Sequence, residues 1–283
     1  MWADYPFPLI TTPASMGDYT DPVTKSATKM ALTHNIIIRG MNSIYLQCEF
    51  ITPESAAAFM MYCKCWSEFI HNHHACEEVA YFPVIEKAVG LEGISESNLE
   101  QHDAFLSGLE HFDEYIRNST PQTFSGLMVL QILDTFAATL QSHLTDEVVW
   151  IMSLSQYPQL DIATIDASHG LYVRAHSTHT RLLPFFLTNH DLTYEDGIHA
   201  WWPTNSKLRE WYLRYICTLV HRSSWNYSSC GLGGKPKPLV GVTWCTMSRI
   251  FQQNTTEVGP DLGPIKPPKA VLTFEGHYEG DVV

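Results

Sequence analysis

His73-His74-Ala75-Cys76-Glu77-Glu78-Val79-Ala80-Tyr81-Phe82-Pro83 places an imidazole and a carboxylate four residues apart, as His73 and Glu77. On a helix that spacing puts them one turn apart on the same face. Trp66, Phe69, Ile70, Ala80, Tyr81 and Val84 share the face, and nearly all are apolar. A carboxylate inside an apolar stripe needs a partner, because an unpaired buried charge is too costly to keep. A metal ion is one such partner, with an imidazole as its usual co-ligand. His74 pairs with Glu78 by the same spacing, in a register that faces a flank of the helix. The 73/77 register is preferred because it shares its stripe with Trp66, Ile70 and Tyr81, which leaves His74 and Glu78 as partners behind the ligands or as solvated side chains.

Working outward, residues 24–155 read as four amphipathic helices on short connections, an all-α up-down-up-down bundle. Met30, His34, Ile37, Ile38, Met41, Tyr45 and Cys48 line the first helix. Thr52-Pro53-Glu54 opens the second, which is expected to run to about Val89 with a bend at Pro83. The third follows a cap at Ser95 or Ser97, with Leu99, His102, Phe105, Leu106, Leu109, Phe112 and Ile116 as its buried stripe. The fourth spans about Thr123 to Leu154 and carries a second H-x3-E, His143 and Glu147.

Each helix therefore has one His in its stripe, and the second and fourth add a Glu one turn later. His34 precedes His73 by 39 residues and His102 precedes His143 by 41, a pseudo-repeat that brings six side chains to the bundle centre. Taken singly, a His on an apolar face is usually a hydrogen-bonded core residue, and an H-x3-E is more often a local pair. The joint pattern predicts a dinuclear metal site of His34, His73, Glu77, His102, His143 and Glu147. Four terminal imidazoles and two bridging carboxylates suit two iron ions, and manganese also fits. His71, in Glu68-x-x-His71, lies roughly 200° around the helix from His73 and should point outward.

Composition limits the classes of function. Hydrophobic residues make up 45% of the 283 and aromatics 12%, enough for a sizeable core. A net charge of −13 argues against nucleic acid or anionic membrane as partner. No apolar run is long enough for a membrane span. Met1-Trp2-Ala3-Asp4-Tyr5-Pro6 lacks the basic start and apolar core of a secretory signal. Seven Cys without a C-x2-C pair suggest reduced thiols, so a cytoplasmic location is expected.

The chain resembles hemerythrin-like (HHE cation-binding) proteins, particularly fungal ones. The resemblance rests on Leu32 to Tyr45, His73-His74-Ala75-Cys76-Glu77-Glu78 with Phe82-Pro83-Val84-Ile85-Glu86, Gln101-His102-Asp103-Ala104-Phe105, and His143-Leu144-x-x-Glu147. It implies two iron ions (Fe2+/Fe3+) on the same six residues, with both Glu as bridges and O2 as ligand or co-substrate. Oxygen-carrying hemerythrins place a second His one turn after the helix-three His, where this chain has Leu106. Their last carboxylate is an Asp five residues after its His, whereas Glu147 follows by four. Six ligands in place of seven imply open metal positions and favour chemistry over oxygen storage.

Residues 1–23 are expected to be an irregular arm, 156–239 a mixed helical and aromatic extension packed on the bundle, and 240–283 an irregular tail. In the extension, Asn189-His190-Asp191 reads as a polar loop, Trp201-Trp202-Pro203 as an aromatic plug, and His176-x-x-His179 as surface. Leu208 to His221 reads as helix, too evenly apolar to be exposed all round. The extension is expected to roof the metal pocket over an apolar substrate. The expected function is a non-haem diiron oxygenase or oxidase acting on an apolar or aromatic small molecule, with a reductant as further partner. Fungal relatives suggest secondary metabolism, by oxygenation or oxidative C=C cleavage. Tyr81 is the candidate hydrogen-bond donor to bound oxygen. The alternative is a non-enzymatic binder of O2, nitric oxide or iron.

Overall fold

The computed structural model describes residues 3–17 and 19–242. Most of the expected 240–283 tail lies outside them. Met1–Thr243 forms one compact unit. In chain order its helices are α1 (Pro13–Met16), α2 (Pro22–Gln47), α3 (Pro53–Ala80), α4 (Phe82–Val89), α5 (Glu96–Asn118), α6 (Gly126–Asp134), α7 (Ala137–Ser153), α8 (Ile162–His176), α9 (Leu182–Asn189) and α10 (Lys207–Tyr215). No β-strand occurs among the described residues, only an isolated bridge between Cys230 and Pro236. The architecture is the expected all-α bundle. α2 packs on α3 and α7, and α5 packs on the same two, so these four form its walls. Among the described residues no helix is long and apolar enough to cross a membrane.

Local chemistry starts the two longest helices. The Asp21 carboxylate accepts from the Thr24 N–H ahead of Pro22, and Thr52 and Ser55 form a capping box around Pro53. Two expected single helices are each broken. The second is interrupted at Tyr81, whose amide still closes the last turn of α3 on the Glu77 carbonyl at 3.0 Å. Pro83 lacks an N–H and would crowd the Val79 carbonyl in a continuous helix, so the chain restarts as α4 at Phe82. The fourth is interrupted at Thr135–Phe136, where the Thr135 hydroxyl donates to the Ile132 carbonyl at 2.6 Å. Phe136 there packs so close to Gly108 that a Cβ would lie 2.6 Å from it.

Trp66 anchors the core. It is fully buried, donates its indole N–H to the Ile37 carbonyl at 3.0 Å, and stacks edge-on against Phe112 at 5.1 Å. Such a side chain contributes about 2–3 kcal/mol by burial alone. Three residues expected in buried stripes, Val84, Leu99 and Leu106, lie on the outer edge of their helices and are exposed. The six cysteines among the described residues are free and buried.

The N-terminal segment, expected as an irregular arm, is held along α2. Asn35 and Asn42, two turns apart on one face, hydrogen-bond Ile10, Phe7 and Ala3 through backbone groups at 2.8–2.9 Å. The extension folds back on the bundle: α8 lies across α2 and α3, and α9 packs on the same pair. Asn189-His190-Asp191, expected as a polar loop, is buried. Asn189 accepts from the Tyr62 hydroxyl and the Ser229 amide, while Asp191 accepts from Arg39. Trp202 packs on Phe186 and His190, whereas His176 and His179 are exposed as expected. The 208–221 segment is, as expected, not exposed all round, since Leu213 and Cys217 are buried against Leu187, but Leu208, Trp211, Tyr212, Tyr215, Ile216, Leu219 and Val220 are exposed.

Candidate metal centre

The break at Tyr81 leaves the last turns of α3 intact, and these carry His73, His74 and Glu77 into the bundle. α2 supplies His34, α5 supplies His102, and α7 supplies His143 and Glu147. All seven side chains are buried. Their donor atoms fall into two groups, each within 4.8 Å internally: His34, His73, Glu77 and Glu147, and His74, His102 and His143. All six residues expected as ligands therefore converge. The seventh, His74, was expected on a flank.

Both carboxylates reach both groups. Glu77 Oε1 is 3.0 Å from His73 Nε2 and its Oε2 is 3.8 Å from His102 Nε2. Glu147 Oε2 is 3.2 Å from His34 Nε2 and 4.0 Å from His143 Nε2. None of these approaches has aligned hydrogen-bond geometry, so all four carboxylate oxygens are buried without a hydrogen-bond partner. His74 Nε2 is in the same condition. Five orphaned polar atoms in one pocket would be prohibitive in a dry core.

The imidazole tautomers explain the arrangement. His34 Nδ1 faces the Leu144 carbonyl at 2.6 Å, His102 Nδ1 faces Glu78 Oε1 at 2.7 Å, and His143 Nδ1 faces Gln101 Oε1 at 3.1 Å. Each partner is an acceptor, so each Nδ1 carries the hydrogen. That leaves the Nε2 lone pairs pointing inward, as in metal-binding histidines oriented by outer oxygen acceptors. His34 Nε2 and His73 Nε2 are 2.9 Å apart, and His102 Nε2 and His143 Nε2 are 3.1 Å apart. The donor set and the orphaned carboxylates fit metal cations between them.

The electrostatics agree. Burial first, and then the nearby imidazoles, push His73 and His74 well below the usual histidine range. Burial also takes His143 down to about 3, although Glu147 pulls the other way. Neutral imidazole is the form that ligates a metal. Burial, reinforced by Glu147, raises Glu77 well above the carboxylate range. Burial opposes ionisation of Glu147 too, yet His34, His143 and His102 hold it below its ordinary value.

Aromatic rings wall the pocket. Phe105 lies 5.1 Å from His74 and 5.5 Å from His143, and Phe82 lies 5.9 Å from His102. Tyr81, expected to donate to bound oxygen, has its hydroxyl 3.0 Å from Ser26 Oγ. Ser26 gives its own hydrogen to Asp166 at 2.7 Å, so the Tyr81 proton is committed to Ser26. His71 points outward as expected and pairs with Asp113 at 2.7 Å. Leu106 is 37% exposed and turned from the pocket. His74, by contrast, brings a third imidazole beside those of His102 and His143.

Gln101 was not expected as an orienting residue, and Glu78 was expected only as a partner behind the ligands or as a solvated side chain, with no imidazole assigned to it. The signal was faint but present: Gln101 precedes His102 and Glu78 follows Glu77.

The hemerythrin HHE cation binding domain matches residues 28–148 of this chain, the segment that supplies all seven donors. The chain is also 32% identical over 245 residues to "Dimeric xanthone biosynthesis cluster protein R11" of Cryptosporiopsis sp. (strain 8999). That match covers 85% of this chain and 93% of the relative. No solved structure matches. With its four-helix walls, converging His and Glu donors and full-length fungal relative, the chain belongs to the hemerythrin-like, HHE cation-binding family.

Proposed function

We propose that the protein is a non-haem diiron protein that activates O2 to oxidise an apolar or aromatic small molecule in fungal secondary metabolism. The observation that carries the metal part is the donor set: two clusters of imidazoles sharing two buried carboxylates. Imidazole and carboxylate together suit iron, without thiolate. His34 and His73 would hold one ion, His74, His102 and His143 the other, with Glu77 and Glu147 between them. Iron bound there would supply redox chemistry with O2. The protein's own part is to keep His73, His74 and His143 neutral by burial, orient three imidazoles through Leu144, Glu78 and Gln101, and exclude water with Phe82 and Phe105.

The biosynthetic part rests on the relative, whose name places it in a cluster for a dimeric xanthone. A xanthone is an aromatic small molecule, which agrees with an apolar substrate. A second reading, reversible binding of O2 or nitric oxide without turnover, is favoured by His74. With seven donors rather than six, fewer metal positions stay open than Leu106 implied.

Metal analysis with anaerobic-to-aerobic stopped-flow spectroscopy separates these readings. Two irons per chain, and an oxygenated spectrum that decays with oxidised product when an aromatic substrate is present, support oxidation. A spectrum that reverses on deoxygenation without product supports the binder. One metal or none per chain overturns the diiron reading.

A further inference from the structure

His169 lies in α8, the helix that crosses α2 and α3 outside the bundle. Its Nε2 is buried and has no hydrogen-bond partner. Burying such a nitrogen unpaired is costly, so a buried imidazole in this state points to a partner absent from the polypeptide. The ring packs against Tyr81 with centroids 4.9 Å apart and planes tilted by 35°. Tyr81 follows Glu77 by one turn and is fully buried.

The polar groups around His169 satisfy one another. Asp166, one turn earlier in α8, accepts from Ser26 at 2.7 Å and from Lys29 at 3.0 Å. Ser26 in turn takes the Tyr81 hydroxyl. None of this network is directed to His169 Nε2. Beyond Tyr81 the same face of α3, on which α8 packs, carries Glu77 one turn back and His73 two turns back. Burial lowers the His169 pKa while the Asp166 and Glu147 carboxylates raise it, and His169 in turn depresses His73. The ring is thus within electrostatic reach of the His34, His73, Glu77 and Glu147 group. It is not among the atoms that converge within 4.8 Å, so it stands outside the ligand set.

That group holds two imidazoles, whereas the other holds three. With both carboxylates shared, the His34–His73 half has one protein donor fewer, and a small exogenous molecule would bind there. We propose that His169 of α8 is the hydrogen-bonding residue for a small exogenous ligand held at the His34–His73 half of the metal pair. The inference rests on the diiron reading above. It also gives α8 a role beyond packing, as the wall from which the bound molecule is gripped.

The test is azide titration of iron-loaded, oxidised wild type, His169→Phe and His169→Gln, followed by the azide-to-iron visible band, with iron counted in each. Thermal melts confirm that each variant is folded. Both variants are expected to keep two irons per chain. His169→Phe should bind azide roughly ten-fold more weakly, and His169→Gln, which retains an N–H donor, should recover most of the affinity. Unchanged azide affinity in a fully loaded His169→Phe overturns the assignment. So does loss of an iron from both variants, which would make His169 a ligand. Failure of the wild type to hold two irons overturns the diiron reading itself, and is visible before any azide is added.

Discussion

Nε2 of His102 and Nε2 of His143 face each other at 3.1 Å while oxygens of Glu78 and Gln101 hold their Nδ1 atoms. With a hydrogen on each Nδ1, neither ring in its metal-binding form has a hydrogen to share across that gap. A cation between them turns a repulsion into two bonds. Metal should therefore act as part of the fold. Stripping it with a chelator is expected to remove about 4 kcal/mol when the ion stands roughly a thousand-fold above its Kd. That corresponds to a fall in Tm on the order of 10 °C for a unit of this size. Calorimetry with and without chelator checks it, and an unchanged Tm would count against a metal in this pocket.

The metal-free protein should have an unusual stability profile against pH. His73 and His74 lie well below the usual range, and His143 and His190 are held down to about 3, in each case chiefly by burial. Folded, these rings stay neutral; unfolded, they take up protons below about pH 6.5. Stability is thus present above that pH and lost on acidification toward 3, by up to about 1.4 kcal/mol per pH unit per ring. Glu147, held low, has the same sign: it contributes above about pH 4.5, the ordinary Glu value, and is lost below. Glu77, pushed up by burial and by Glu147, opposes them, because the unfolded chain releases its proton above about pH 4.5. Those four rings, with His169 shifted the same way, outweigh one carboxyl below pH 6.5, and from there to about pH 8, where Lys237 begins to titrate, the opposing Glu77 is left without them. Urea midpoints of chelated protein should therefore peak near pH 6.5. A maximum near pH 5 would contradict the burial of these rings.

Much of this could be read from the sequence, and the gaps have physical reasons. The helical stripes carry His34, His73, Glu77, His102, His143 and Glu147 to one place because a period of 3.6 fixes which face each occupies. His74 escaped because α3 is covered on more than one side. His73 turns toward His34 on α2, and His74, about 100° further round, turns toward His102 and His143 on α5 and α7. A single-face reading permits only one of two adjacent residues to be inside. The burial of Asn189-His190-Asp191 was hidden for another reason. Its partners, Tyr62, Ser229 and Arg39, are distant in sequence, and polarity alone reads as solvent exposure.

The docked N-terminal segment supplies a stability test remote from the metal. Asn42 is fully buried, accepts from the Phe7 amide and donates to the Ala3 and Phe7 carbonyls. Asn42→Ala removes the acceptor and both donors and leaves backbone groups unpaired. The expected loss is about 2–4 kcal/mol, from a net ~1 kcal/mol per bond plus the unsatisfied groups. Limited proteolysis should then cut before Pro13 while iron content stays at the wild-type level. Resistance equal to wild type would show that the segment is held by other contacts, Ile10 among them.

His74 decides how many imidazoles serve the metals. It is buried, its Nε2 has no hydrogen-bond partner, and its ring lies 4.2 Å from that of His102. If it is only packing, His74→Phe should keep both metals, because the neighbouring Phe105 ring shows that this wall accepts aromatics. As a ligand, its loss should weaken the ion on His102 and His143 by roughly 10–100-fold or more, since even residues that merely orient a ligand have that effect. The His34–His73 ion should be retained. Competitive metal titration should then resolve one tight and one weak site in His74→Phe, against two tight sites in wild type. Leu106→His separates the two routes to a seventh donor. Leu106 is turned outward, so a new imidazole there should not restore the weak site in the His74→Phe background. Restoration would mean that the α5 position can reach the metals and that Leu106 marks a true vacancy.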